Sequence, residues 1–264
     1  MTSSDTYVLT DNGYIQIKEL VDKNFNVWNG KQFVQTKLIP CSGIDSLIRI
    51  TLSNGLYVDC EAESKWVVLN KNKDKEIVGA NELKKGDVLY EYNIPLQNYK
   101  DPTYIKDPYE LGCRVFDDDD DYDDSDDDIF IPLNYSKDIK LKWMEGLCDT
   151  HGYLNDDKIK LYTDEEDAMK IQLMLSTLRI DTTYKSHPYD GGYIYILIND
   201  QLRTSGFNPK KIKLGKKDAI KNEEKIMSIM PTIMALADKA IPQKYTFSKF
   251  KKNTIVLNGI LIGL

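Results

Sequence analysis

The stretch Lys142–Tyr153, KWMEGLCDTHGY, carries the most specific pattern in this chain. Leu141, Met144, Leu147 and Cys148 recur at helical spacing, Gly146 interrupts them, and Asp149-Thr150-His151-Gly152 follows. The pattern predicts a short core helix that Gly152 closes as a C-cap.

Outward from this helix, residues 131–217 read in the order α-β-β-α-β-β. YLNDDKIKLY gives a hairpin and EEDAMKIQLMLSTLRI an amphipathic helix. TTYKSH and GGYIYILIN give a second hairpin, and LRTSGFNPKKIKLGKK a basic tail. Upstream lies Asp117–Asp128, which holds ten aspartates and reads as a solvated low-complexity loop. An EF-hand-like metal loop needs alternating ligands, a turn glycine and a closing Glu, which this run lacks. Residues 1 to about 95 read as all-β. TYVLT, YIQIKEL, FNVWNG-KQFVQTKLI, SLIRITLSNGLYVDC, SKWVVLN and DVLYEYNI are separated by DNG, NG, SNG and KKGD turn signals, as in a meander or curled sheet. Beyond residue 218, NEEKIMSIMPTIMALADKA reads as a helix broken at Pro231, followed by strands.

Composition narrows the function classes. An apolar fraction of 41% in 264 residues supports a real core in one large or two small domains. The chain has no apolar leader and no membrane-length apolar run, so the expected compartment is cytoplasmic or nuclear, not secreted. Cys41, Cys60, Cys113 and Cys148 form no CxxC pair, which argues against a zinc knuckle or a disulfide framework. Setting aside the ten charges of the acidic run turns the net charge from −7 to +3, so a modestly basic surface elsewhere is compatible with nucleic acid. The 17 tyrosines look scattered along strands and give no stacking platform by sequence.

MEGLCDTHG, Met144–Gly152, resembles the LAGLIDADG signature of dodecapeptide (DOD-type) homing endonucleases. In that family two such helices pack face to face, and a small residue, here Gly146, lets the backbones approach. The acid before the last glycine holds a divalent metal there, and His151 stands in its place. PYELGCRVFDD, from Pro108, resembles the opening of the first such motif, with Asp117 at the metal position and Asp118 replacing the glycine. The resemblance implies a saddle of strands over double-stranded DNA, with Mg²⁺ as cofactor if any nuclease activity survives.

DTYVLTDNGYIQIKEL (Asp5–Leu20), LSNGLYVDCEAESKW (Leu52–Trp66), ELKKGDVLY (Glu82–Tyr90) and KYTFSKFKKNTIVLNGILIGL (Lys244–Leu264) resemble, in order and spacing, the blocks of the Hint fold of inteins, particularly those from ribonucleotide reductase genes. The expected fold is therefore a mainly β, horseshoe-like Hint domain with an inserted α+β LAGLIDADG half-domain. Its segments are 1–106 (Hint, N-terminal part), 107–130 (degenerate first motif and acidic loop), 131–217 (endonuclease-like repeat) and 218–264 (Hint, C-terminal part).

The resemblance also assigns site positions. Met1 replaces the first nucleophile of splicing, Glu61 and Ser64 replace the Thr and His that protonate the scissile bond, and Thr246 and Asn253 stand where Asp or Cys and His are usual. Gly263 and Leu264 close the chain where a terminal Asn or Gln would cyclise. His151, Asp117 and Asp149 are the endonuclease positions. His151 reads as a residue favoured by the helix dipole rather than a Mg²⁺ ligand. Asp149 reads as a support of the helix end, with a metal role as the alternative. Lys210, Lys211, Lys213, Lys216 and Lys217 read either as phosphate contacts or as a solvated lysine face. These substitutions predict a splicing-inactive intein derivative, monomeric rather than dimeric, with no metal site and no membrane. Its partners would be DNA and, ancestrally, a host extein. The alternative is a working homing endonuclease that cuts intein-less alleles as a homodimer.

Overall fold

The computed structural model describes residues 2–41, 46–90, 94–95, 99–116, 129–187, 191–214, 231–239, 244–247 and 254–263. The chain divides into two compact units, Met1–Ile94 with Ala219–Leu264, and Pro95–Asp218. The transition at Ile94/Pro95 lies upstream of the boundary at 106 read from sequence. Residues 107–116 belong to the second unit rather than forming a segment of their own.

The first unit opens with β1 (Thr2–Ser3), β2 (Tyr7–Thr10), β3 (Gly13–Gln16), β4 (Asn24–Trp28), β5 (Phe33–Cys41), β6 (Leu47–Leu52), β7 (Tyr57–Cys60), β8 (Lys65–Leu69), β9 (Lys75–Gly79) and β10 (Val88–Leu89). YIQIKEL is a strand only as far as Gln16, because Ile17–Leu20 turn into a 3-10 helix that buries Ile17 and Leu20. β9 carries no period-2 apolar pattern, being almost wholly exposed, and forms by pairing with β8.

The second unit runs α1 (Pro108–Cys113), α2 (Lys137–His151), β11 (Tyr153–Asn155), β12 (Lys158–Thr163), α3 (Glu165–Ser176), β13 (Thr182–Ser186), β14 (Gly192–Leu197) and α4 (Asp200–Ser205). From α2 onward this is the α-β-β-α-β-β order read from sequence. α4 is an addition, since part of the stretch read as a basic tail is a helix capped by the Asn199 side chain and ended by Gly206 at φ 102°. The strands form one antiparallel sheet ordered β11-β12-β14-β13. Ile159, Leu161, Ile194 and Ile196 from its inner face pack with Trp143, Met144, Leu147 and Cys148 of α2 and Ile171, Met174 and Leu175 of α3. Each such fully buried apolar side chain contributes about 1.5–3 kcal/mol, which outweighs the interior glycine of α2.

The chain then returns to the first unit as β15 (Ile233–Lys239), β16 (Lys244–Phe247), β17 (Thr254–Leu257) and β18 (Ile260–Gly263). The helix read across residues 222–240 is overturned where the structure is described. Ile233–Lys239 is a strand paired with β6, and Gly86 and Asp87 also engage the backbone of Ile233. The Ala- and Met-rich composition favours helix locally, but the open edge of β6 needs backbone partners, and that tertiary demand wins. Residues 222–230 lie outside the described residues.

The first unit's strands follow the order β10-β8-β18-β17-β2-β4-β5-β16-β1-β7-β6-β15, with β3 on β2 and β9 on β8. Its described ladders are antiparallel, as the turn signals imply. Asn258-Gly259 makes the two-residue turn between β17 and β18, both residues at positive φ. The buried Asn258 side chain accepts from Tyr7 N at 2.7 Å and donates to Tyr57 O at 2.9 Å, tying β2 and β7 to this hairpin.

Candidate functional site

In the first unit, two strand ends meet at one turn. Thr2 of β1 pairs with Cys60, the last residue of β7, and Gly263 of β18 pairs with Lys65, the first residue of β8. Glu61–Ser64 is the turn joining Cys60 to Lys65, closed by Ser64 N donating to Glu61 O at 3.0 Å. Thr246 lies beside this cluster in β16, next to Tyr245, which pairs with Thr2. The register therefore gathers Thr2, Glu61, Ser64, Thr246 and Gly263, while Met1, Asn253 and Leu264 lie outside the described residues.

Among the described residues, Glu61 is the one carboxyl in this cluster, and the other side chains are hydroxyls and a thiol. Ser64 is buried, and its carbonyl accepts from Ala80 N at 2.9 Å. Thr2 and Ser3 hydroxyls both lie 2.9 Å from the Thr6 hydroxyl, a local network among side chains that do not titrate near neutrality. Cys60 is the thiol at this point, and burial pushes its pKa up to about 11 despite the neighbouring Trp66 and Ser64. It is therefore held as a thiol, whereas the nucleophilic form is the thiolate.

In the second unit, the sequence-selected residues lie along α1 and α2. A Cβ on Gly112 would overlap the Trp143 carbonyl oxygen, and one on Gly146 would overlap the Tyr109 carbonyl oxygen. The two glycines thus permit backbone contact between the helices. His151, at the end of α2, places Nε2 3.0 Å from the Cys113 carbonyl oxygen at the end of α1. Because a carbonyl only accepts, this nitrogen carries the proton. The Phe116 ring packs edge-on to the imidazole at 5.4 Å. His151 is a bridge between helix ends, which goes beyond the dipole role read from sequence. Gly152 does cap the helix, but at φ −85°, so its requirement is space: a Cβ there would overlap the Cys148 carbonyl oxygen.

Asp149 is committed to the backbone of the segment after α4. Its carboxylate accepts from Lys210 N (2.5 Å), Lys211 N (2.7 Å), Ile212 N (2.9 Å) and the Tyr109 hydroxyl (3.1 Å). Burial works to raise its pKa, but the three backbone N–H groups and the phenol prevail and hold it below the ordinary value. Burial and the adjacent Asp149 push Tyr109 up to about 12. One turn earlier, Glu145 accepts from Asn208 N at 2.8 Å. Two acids of α2 thus fasten residues 208–212. The Lys210 ammonium lies 3.6 Å from the Tyr109 ring centroid, and Lys211 and Lys213 follow it. Lys216, Lys217 and Asp117 lie outside the described residues.

This donor set does not suit the divalent metal that the family resemblance implies. Mg²⁺ demands carboxylate and water oxygens in octahedral array. His151 offers nitrogen already engaged with a carbonyl, and both Asp149 oxygens accept from N–H groups. Among the described residues no three His, Cys, Asp or Glu side chains are grouped to hold a metal.

A surface that the sequence reading missed lies on the outer face of the second unit's sheet. Register puts Tyr153, Lys160, Tyr195 and Thr183 in one row across the strands, and Tyr162, Tyr193 and Lys185 in the next. Lys160 Nζ sits 3.6 Å from the Tyr193 ring centroid, and Tyr162 and Tyr193 meet edge-on at 5.3 Å. The tyrosines are therefore clustered, contrary to the scattered reading. The signal was the alternation in KIKLYT and GYIYIL, but cross-strand register is needed to bring the two runs together.

No family model matches the chain. It is 28% identical over 121 residues to the large subunit of a ribonucleoside-diphosphate reductase from Invertebrate iridescent virus 6, covering 41% of this chain and 13% of that protein. The chain thus spans a small fraction of that relative's length. Two solved structures of the Ssp DnaB mini-intein variant M86, one of them its G-1F mutant, align at TM-score 0.37 and 8% identity over 99% of this chain, covering 91% and 96% of theirs.

Proposed function

We propose that this chain is a splicing-inactive descendant of an intein, a Hint scaffold carrying a degenerate homing-endonuclease repeat that retains contact with DNA. The observation that carries the reading is the meeting of β1 and β18 at the Glu61–Ser64 turn. Splicing exchanges bonds between two segments brought to one place, and this register brings β1 and β18 to the two ends of one short turn. The chemistry is what has gone. Protonating the amide nitrogen that leaves in the first acyl shift needs a titratable acid such as imidazole, and the Ser64 hydroxyl does not titrate in that range. Cys60 is held protonated. The similarity to a short stretch of a large reductase subunit fits an origin within a reductase gene.

The insertion reading rests on the second unit. Gly112 and Gly146 stand five residues before Asp117 and His151 respectively, the shared spacing of two paired motifs. Since α1 of the same chain fills the Gly146 face of α2, a homodimeric nuclease built on that face is disfavoured. Lys210, Lys211 and Lys213, fastened by Asp149, are the phosphate contacts of this proposal, and their binding would weaken steeply with salt.

Folded reporters fused to both ends of the full chain test the splicing half. The expected product is the intact fusion alone, and release or ligation of the reporters without added thiol would overturn the reading. Incubation with plasmids carrying the uninterrupted reductase gene, in Mg²⁺ and again in Mn²⁺, tests the nuclease half. Binding without linear product is expected, and a specific cut would overturn it.

A further inference from the structure

We infer that the outer edge of β15 accepts an extended peptide as an added antiparallel strand, one that alternates apolar and polar residues and carries carboxylates at its C-terminal end. The inference is independent of the function proposed above, since it concerns a strand edge and none of the splicing or nuclease positions.

The first argument is hydrogen-bonding capacity. Leu52 N donates to Leu56 O at 2.8 Å and the Leu52 carbonyl accepts from Gly55 N at 2.9 Å, so Leu52 bonds toward β7. Alternation along β6 then turns Thr51 and Arg49 toward β15, where they pair with Ala235 and Ala237. The N–H and C=O groups of Leu236 and Asp238 consequently point away from β6. On that side β10 engages the start of the strand: Ile233 N donates to Asp87 O at 2.9 Å, and the Ile233 carbonyl accepts from Gly86 N at 2.8 Å. Past Ile233, no strand of the described residues pairs with this edge.

The second argument is the side chains. Met234 and Leu236 are 45% and 40% exposed, and Ala235 and Ala237 are exposed beside them. An edge strand is ordinarily guarded against added strands by charge, proline or a bulge. β9 carries Lys75 and Glu76 and β13 carries Lys185, whereas the bulge of β15 lies between Ile233 and Ala235 and residues 234–237 hold no charge. Leu236 stands opposite the fully buried Ile50, so an apolar side chain on an incoming strand extends the core there. The other face presents Ala235 and Ala237 beside Thr51 and the Arg49–Asp59 ion pair, which suits a polar residue.

The third argument is direction and charge. β10 is antiparallel to this part of the chain, so a strand that continues its line along residues 234–238 has its C-terminal end at Gly86, next to the exposed Lys84 and Lys85. The Asp87 carboxylate is turned onto Lys84 N, from which it accepts at 2.8 Å. Two ammonium groups at that end favour carboxylates on the incoming strand. Residues 234–238 offer about 17 Å of edge. A stable contact between two folded chains buries roughly 1,200 Å² or more, which so short an edge does not supply, so the occupant is a peptide segment rather than a second copy of the chain.

The test uses the full chain and fluorescence anisotropy with an N-terminally labelled synthetic peptide, Thr-Val-Thr-Val-Thr-Asp-Asp, and a second peptide that ends in Lys-Lys instead. The aspartate peptide is expected to bind about ten-fold more tightly. Leu236→Pro removes an N–H that β6 does not use and should weaken this binding about ten-fold, while Leu236→Ala, which keeps the N–H, should weaken it less. K84E/K85E should reverse the preference between the two peptides, a readout that stands even if the proline variant folds poorly. Equal binding of the two peptides, binding of neither, or an unchanged preference in K84E/K85E overturns the inference. A dimer in sedimentation equilibrium that Leu236→Pro dissociates also overturns it, since a second copy then fills the edge.

Discussion

Gly112 and Gly146 let α1 and α2 touch backbone to backbone: a side chain on either would strike a carbonyl oxygen of the other helix, Trp143 in one case and Tyr109 in the other. The contact is made by absent atoms, so its sensitivity to substitution is steep. It also sets the helix ends side by side, which is where His151 meets the Cys113 carbonyl.

Gly146→Ala is therefore expected to destabilise the second unit although Ala has the higher helix propensity. The propensity gain is about 1 kcal/mol, while a methyl driven into backbone costs about 1–3 kcal/mol or more, because a carbonyl cannot rotate away as a side chain can. Denaturant unfolding followed by tryptophan fluorescence, with Trp143 in the contact, reads the net loss. A more stable variant would show that the helices separate freely.

Asp149→Ala should cost about 2–4 kcal/mol, because it orphans the backbone donors of Lys210, Lys211 and Ile212 together. The sign with pH follows from the depressed pKa. The carboxylate's contribution is fully present above its ordinary value of 3.8 and is lost as pH falls through the lower folded value. The gap between wild type and variant should accordingly be constant from pH 5 to 7 and close in strong acid. Limited proteolysis after Lys210 and Lys211 should accelerate in the variant.

Much of this architecture was legible in sequence because it rests on local signals. The apolar spacing around Met144 and Leu147 gave α2, and the Asn-Gly and Ser-Asn-Gly turns gave the hairpins of the first unit. What escaped was set by partners distant in sequence. Ile233–Lys239 reads as helix by composition and is a strand because it pairs with the edge of β6 that β7 leaves open. Asp149 looked like a ligand or a helix support, and its true partners are backbone groups 61 to 63 residues away. The tyrosine and lysine face needed the β12–β14 register, which no single strand encodes.

Asn258→Ala should destabilise the first unit by about 2–4 kcal/mol. It removes the acceptor of the buried Tyr7 N–H and the donor to Tyr57 O, and it places Ala at φ 45°, where Asn is tolerated better. Asn258→Gly isolates the second component, since glycine accepts that φ freely but also lacks the amide. The Gly variant should recover only the backbone part, about 1 kcal/mol, in thermal melts.

Lys140 is the group through which neutral pH should act on the second unit. It is a buried lysine of α2, 1% exposed, whose ammonium donates to Thr177 Oγ1 at 2.8 Å and lies 4.8 Å from the Tyr99 ring centroid. A hydroxyl and a ring face replace little of the hydration that an ammonium loses, so burial lowers its pKa from 10.5 to about 7. Between pH 7 and 10.5 the unfolded chain then holds a proton that the folded chain has released. Stability from this group therefore rises as pH climbs through that window and is least below it. Lys140→Met keeps the length and removes the charge, so it should be more stable than wild type at pH 6 by a few kcal/mol, the advantage shrinking toward pH 10. Chemical denaturation of both proteins at pH 6, 8 and 10 measures this difference while cancelling groups common to both. A constant difference across the three values would mean that Lys140 stays charged in the fold, held by partners stronger than Thr177 and Tyr99.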